Sequence, residues 1–209
     1  MKIAILGATG WIGSTLMTEA LRRGHEVVAI SREANKIDKP GVEVRSLDLL
    51  VKGGLIQAVN GADLVISSVG GRAKGNHDMV AETATRLLAE LPQADIPRLI
   101  WVGGAGSLEV APGVKLVTVP DFLAEYKDEA LAQGEALDVF RNSDSKLNWV
   151  FASPAAEIFP GERSGKYRLG GDQLLTDAEG NSKITAEDYA VALIDEAEKP
   201  AYKQQRIAV

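Results

Sequence analysis

The stretch MKIAILGATGWIG, Met1 to Gly13, decides how the rest of the chain is read. Lys2 to Leu6 form an apolar, partly β-branched run, the pattern of a strand buried on both faces of a parallel sheet. The run passes straight into Gly7, Gly10 and Gly13, spaced by threes. Gly7 suits a tight turn, Gly10 lets the backbone approach an anion with no Cβ between, and Gly13 lets the following helix pack closely on the strand. Ala8, Thr9, Trp11 and Ile12 complete a loop whose free N–H groups, at the positive end of a helix dipole, are expected to face a pyrophosphate. Glycines at this spacing are weak evidence by themselves, the plain alternative being close packing alone.

The residues that follow supply the context. Ile12, Leu16 and Ala20 recur at four-residue intervals with Leu21 beside them, one apolar face of a helix from Trp11 to Arg23. Gly24 ends that helix, and Val27 to Ile30 form a second apolar strand. A strand, a glycine turn, a helix and a second strand within about thirty residues satisfy the structural conditions of a dinucleotide fingerprint.

The alternation continues. Strands are expected over Val42–Leu47, Asp63–Val69, Leu99–Val102 and Leu147–Phe151, with helices near Leu55–Val59, His77–Leu91 and Asp121–Phe140. This order specifies a Rossmann-type α/β fold, a doubly wound parallel sheet with right-handed crossovers, in a single domain over residues 1–209. Beyond Phe151, Pro154, Pro160, Gly161, Gly165, Gly170 and Gly171 mark a loop-rich stretch, about residues 152–183, expected to form a substrate-side lobe above the strand ends. Thr185 and Asp188 resemble a capping box for a helix over Ala186–Glu198, and Gln205–Val209 supply a last strand.

Ligands of such sheets bind beyond the carboxyl ends of the strands. Those ends carry Gly7 to Gly13, Ser31 and Arg32, Asp48 and Leu49, Ser67 to Gly70, and Gly103 to Ser107, the glycine-, serine- and charge-bearing positions of the chain. Arg32, about twenty residues past the glycines with Ser31 before it, suits the extra phosphate of NADPH better than the ribose of NAD, although Glu33 leaves NAD open. Asp48 either accepts a hydrogen bond from the adenine amino group or is the N-cap of the following helix. Ser67, Ser68, Val69 and Gly70 are expected beside the nicotinamide ribose, with His77 and Gly104 near the same end.

Composition narrows the function. A formal net charge of −6 argues against a nucleic-acid-binding surface, and no run is long and apolar enough for a membrane span. With no cysteine and two histidines, thiolate chemistry is absent and a histidine-rich metal centre is excluded. The strand that begins at Lys2 leaves no space for a leader, so a cytoplasmic protein is expected, as monomer or homodimer.

GATGWIGS from Gly7, the Ser67–Gly70 turn, RLIWVGGAGSL from Arg98, FPGERSGKYRLG from Phe159 and ITAEDYAVALIDE from Ile184 together resemble the NADH-flavin reductase family. These are atypical short-chain dehydrogenase/reductase proteins related to biliverdin reductase B and to NmrA-like proteins. The resemblance spans essentially the whole chain. It implies a Rossmann fold, NAD(P)H binding and hydride transfer to a flavin (FMN or FAD) or a quinone-like acceptor.

The better-known members of that superfamily place Tyr-x-x-x-Lys on the helix after the fifth strand, where lysine readies the phenol for proton transfer. None of the four tyrosines here has lysine four places on. Flavin reduction tolerates this, since orientation supplies much of the acceleration and water can supply the proton. Ser107 and Tyr126 are the side chains expected to contact the acceptor, as polar contact and stacking surface. Two other readings stand beside the reductase: a non-catalytic NmrA-type redox sensor, and a nucleotide-sugar epimerase relative, which the absent Tyr-x-x-x-Lys disfavours.

Overall fold

The computed structural model describes residues 1–72 and 75–209. In chain order the elements are β1 (Lys2–Leu6), α1 (Trp11–Arg22), β2 (Glu26–Ser31), β3 (Val42–Ser46), α2 (Leu55–Val59), β4 (Leu64–Ser67), α3 (Asp78–Glu90) and β5 (Arg98–Val102). There follow β6 (Glu109–Ala111), β7 (Val114–Lys115), α4 (Ala124–Arg141), β8 (Asn148–Ser153), β9 (Glu157–Phe159), β10 (Lys183–Thr185), α5 (Ala186–Glu198) and β11 (Gln205–Ala208).

Seven strands form the central sheet in the order β11-β8-β5-β4-β1-β2-β3, every neighbouring pair parallel. This is the Rossmann-type doubly wound arrangement that the alternation of elements predicts. The order reverses between β1 and β4, so the chain leaves β1 toward one edge and returns through β4 toward the other. Residues 3–6 of β1 are almost wholly buried because β2 and β4 flank them, Leu6 lying opposite Ile30 and Ser67.

Side chains alternate across the sheet into two cores. One packs Leu6, Val65, Leu99 and Trp101 against Leu55 of α2, Val80 and Leu87 of α3 and Leu137 of α4. It holds an aromatic cluster in which Phe140 lies 5.3 Å from Trp101, 5.2 Å from Trp149 and 6.0 Å from Phe151, ring centre to ring centre. The other packs Ile3, Ile5, Ile66, Ile100 and Val150 against Leu16 of α1 and Leu193 of α5.

Small ordered pieces appear where loops are expected. β6 and β7 make a short antiparallel hairpin, and β9 pairs in parallel with β10. Neither has the run of apolar residues that marks a strand in sequence, because each is mostly solvent-facing. The capping box forms by half: Thr185 Oγ1 accepts from the Asp188 N–H at 3.1 Å. The Asp188 carboxylate instead accepts from Ser164 Oγ at 2.6 Å and the Gly165 N–H at 2.7 Å.

Within the loop-rich stretch, residues 163–167 are thus tied to the helices α1 and α5. Arg163 donates twice to Glu19 of α1 at 2.7 Å, and the Tyr167 hydroxyl donates to Asp195 of α5 at 2.6 Å. Farther on, Gly170 exchanges two 2.9 Å backbone hydrogen bonds with Ala208, covering the open edge of β11.

The glycine turn leaves no space for side chains. Gly7 has φ +78°, and a Cβ there would lie 2.8 Å from the Ser68 carbonyl oxygen. A Cβ on Gly13 would lie 2.2 Å from the Gly7 carbonyl oxygen, a backbone atom that cannot yield without moving β1 or α1. Gly13→Ala is accordingly expected to cost about 1–3 kcal/mol or more of stability, measured by denaturant unfolding.

Burial raises the Glu19 carboxyl, but hydrogen bonds from Arg163 and Arg23 and their charges outweigh it, holding Glu19 below the usual carboxylate range. Asp195 is lowered likewise, against its burial, by Tyr167 and Arg23. Groups shifted down in the folded state stabilise it above the ordinary carboxylate range and lose that contribution as pH falls through their folded values. Melting temperature is expected to decline through that acidic window, and Glu19→Gln to melt lower at neutral pH with a shallower acid decline.

Candidate functional site

A cleft of about 340 Å³ opens at the carboxyl ends of β1, β2, β3 and β4. Of the residues singled out in the sequence, Gly7, Thr9, Gly10, Ser31, Arg32, Asp48, Leu49, Ser68, Val69 and Gly70 line it. Leu6, Ile30, Glu33, Leu47 and Met79 also line it, and of these only Glu33 was named in the sequence, beside Arg32. The first four of these lie next to predicted site residues in sequence; Met79 enters only because α3 folds over the cleft.

The glycine loop forms the floor. Gly10, in extended conformation, caps α1 through its backbone alone, and its N–H is donated to the Gly7 carbonyl at 2.9 Å. No side chain caps α1 and no acidic residue stands in its first turn, so nothing of like charge opposes an anion there. Ala8 is fully buried in the core and Gly13 packs beneath the loop, while Ile12 is partly buried and Trp11 is exposed on the outer side. Ser68 lines the cleft but gives its hydroxyl to the Leu6 carbonyl at 2.9 Å, pinning the end of β1. The Ser67 hydroxyl is buried with no partner among the described residues.

On the β2 side, Ser31 Oγ and Thr9 Oγ1 lie 2.9 Å apart and Ser31 also receives the Glu33 N–H at 3.2 Å. Both hydroxyls thus border the cleft in a fixed orientation. Arg32 is exposed at the rim and makes no hydrogen bond or ion pair with any described residue. Asp48 accepts the Leu50 N–H at 3.0 Å, so its carboxylate shapes the turn after β3 as well as facing the cleft. Sequence reasoning missed Arg86 of α3, which donates to the carbonyls of Leu49, Val51 and Gly53 at 2.6–2.9 Å and holds that turn in place.

At the other end, Gly70 stands against α4. A Cβ on Gly70 would lie 2.7 Å from Glu129 Oε1, and Glu129 Oε2 receives the Gly71 N–H at 3.0 Å. The same oxygen meets His77 Nδ1 at 3.0 Å. Gln133, one turn along α4, donates to Glu129 and accepts from the buried Trp101 indole, each at 3.0 Å. Gly104 lies against the Gln133 stem. Tyr126 is exposed at the start of α4, outside the cleft lining, with the Arg72 guanidinium 4.2 Å from its ring centre in a cation–π contact.

The cleft has the size and the glycine floor that a dinucleotide requires. Residues 7–200 match the family described as NAD(P)H-binding. The chain belongs to that family.

Three similar proteins match over essentially their full length. The uncharacterized protein YwnB of Bacillus subtilis is 39% identical over 100% of this chain and 98% of its own. A Burkholderia pseudomallei structure described as a "putative exported protein" is 41% identical with TM-score 0.90, covering 100% of this chain and 98% of that one. A Streptococcus pneumoniae structure described as a "putative NADH-flavin reductase" is 35% identical with TM-score 0.89 and the same coverage. No helix among the described residues of this NAD(P)H-binding protein is long and apolar enough to cross a membrane.

Ser107 lies apart from the cleft lining. Its hydroxyl is buried and accepts from Arg206 NH1 at 2.9 Å, while Asp172 receives Arg206 Nε at 2.7 Å. Burial and the hydrogen bond to Asp195 push the Tyr167 phenol up to about 12, and burial raises Tyr189, whose hydroxyl donates to the Ala152 carbonyl at 2.7 Å. Both phenols are structural. Ser107→Ala is expected to lower stability by ~1–3 kcal/mol, by stranding a buried Arg206 donor, with nucleotide affinity unchanged in calorimetric titration.

Proposed function

We propose that this NAD(P)H-binding protein is an NADPH-dependent reductase that delivers hydride to a flavin or quinone-like ring. The observation that carries the reading is the pairing of the glycine floor with Arg32, a rim cation with no partner among the described residues, beside the fixed hydroxyls of Thr9 and Ser31. The start of α1 receives the pyrophosphate through its uncapped backbone N–H groups, Gly7 and Gly10 giving it a floor without side chains and Ala8, Trp11, Ile12 and Gly13 completing the loop. Ser31 and Arg32 take the 2′-phosphate, for which guanidinium offers a planar pair of donors. Asp48, Leu49 and Val69 border the adenine end, while Ser67, Ser68, Gly70, His77 and Gly104 shape the nicotinamide end.

When bound, the nicotinamide supplies a two-electron hydride. The chain supplies orientation, since the described residues offer no phenol readied by lysine. The likeness to the pneumococcal protein supports a flavin acceptor. We place the activity in the cytoplasm, where reduced nicotinamide is made, and subcellular fractionation tests that placement.

NADPH and NADH oxidation measured side by side against FMN, FAD and quinones is the direct test. Arg32→Ala is expected to raise KM for NADPH roughly 10–100-fold, the loss of about 1.5–3 kcal/mol of charge-assisted hydrogen bonding, with little change for NADH. Equal use of both nucleotides, unchanged by Arg32→Ala, overturns the phosphate assignment. Tight binding with no oxidation of any acceptor identifies the protein as a redox sensor.

A further inference from the structure

We infer that His77, held by Glu129, is a proton donor to the acceptor, and that the acceptor is therefore of the quinone class. The inference rests on the reductase reading above and adds to it the residue that completes the reduction.

The geometry is that of a carboxylate–imidazole pair rather than a chance surface contact. Glu129 is held by three partners, the Gly71 N–H and His77 on one oxygen and Gln133 on the other, and Gln133 is itself fixed by the buried Trp101 indole. In that arrangement three donors reach the carboxylate directly and the indole acts through Gln133. A carboxylate on Nδ1 fixes the ring's orientation and directs Nε2 outward, the role such a partner has in catalytic histidines generally. Among the described residues Nε2 has no hydrogen-bond partner, and the side chain is about one quarter exposed. The pair stands behind Gly70, which lines the cleft and whose missing Cβ leaves space for the Glu129 carboxylate. Glu129 and Gln133 are four residues apart on α4, so one helical face presents both toward the ends of β4 and β5.

The chemistry selects the acceptor. Reducing a quinone to a hydroquinone adds one hydride and one proton: a nicotinamide C–H bond breaks, two O–H bonds form, and the nicotinamide leaves oxidised. His77 gives the proton from Nε2 to a quinone oxygen, becomes neutral while Nδ1 keeps its bond to Glu129, and regains a proton from water. A flavin takes its hydride at nitrogen and can draw the proton from water, so it has less need of a built donor. Glu129 is a positioning residue.

His77→Ala and Glu129→Gln are compared with the parent using NADPH and either a quinone or FMN, with folding checked by thermal melting and NADPH affinity by calorimetry. His77→Ala is expected to lose roughly 10²–10⁴-fold in kcat with the quinone and less with FMN, a loss well beyond any change in NADPH affinity, with the quinone rate restored by added imidazole. Glu129→Gln is expected to lower kcat rather than raise KM, and to shift the His77 Nδ1 signal in 15N NMR of the nucleotide-free protein. Should His77→Ala fail to fold, His77→Gln takes its place and must show the same loss with the quinone. Full quinone activity without His77, or an equal loss with both acceptors that imidazole does not restore, overturns the donor role and leaves the reductase reading standing. A parent protein that oxidises NADPH with neither acceptor overturns both.

Discussion

The structure depends on a backbone crossing at the end of β1, where the chain turns at Gly7, α1 begins, and the end of β4 passes beside both. Gly7, Gly13 and Ser68 meet there at distances that admit no Cβ on either glycine. The Ser68 hydroxyl, donated to the Leu6 carbonyl, ties β4 to β1 at the point where the strand order reverses. Because α1 starts so close to the sheet, its uncapped N–H groups open onto the cleft rather than onto bulk water.

Around that crossing the two ends of the cleft are held differently. The β2 and β3 side is built by small polar groups and by Arg86, whose guanidinium gathers three backbone carbonyls of the turn after β3. The β4 and β5 side is held by a relay running from the core indole of Trp101 through Gln133 and Glu129 to His77. Arg32 thus stands at the rim of one end, and a carboxylate held by three hydrogen-bonding partners at the other. Away from the cleft, Glu19, Asp172 and Asp195 anchor the irregular stretch after β9 to the body of the molecule.

The main sheet was legible because each central strand is apolar on both faces and each helix carries one apolar stripe, as in Ile3–Leu6 and in Leu16 with Ala20. The β6–β7 hairpin and the β9–β10 pair were not, since neither buries enough apolar surface to leave a pattern. Asp188 looked like a capping partner by spacing, yet its carboxylate is occupied by Ser164 and Gly165, more than twenty residues away. Ser107 sits at a strand end like the cleft residues, but Arg206, near the far end of the chain, buries and engages it.

Sequence by itself determined the order of strands and helices, the glycine turn and the cation at Arg32, because these follow from local periodicity and from conformations only glycine adopts freely. Tertiary structure alone decided which polar side chains remain available. Ser31, Ser68 and Ser107 all end strands or follow them, and their hydroxyls face a cleft, a backbone carbonyl and a buried guanidinium respectively. Glu129 and Gln133 carry no motif, and they gain significance only when α4 packs beside β4 and β5, because a hydrogen bond between residues fifty positions apart is specified by packing and not by spacing.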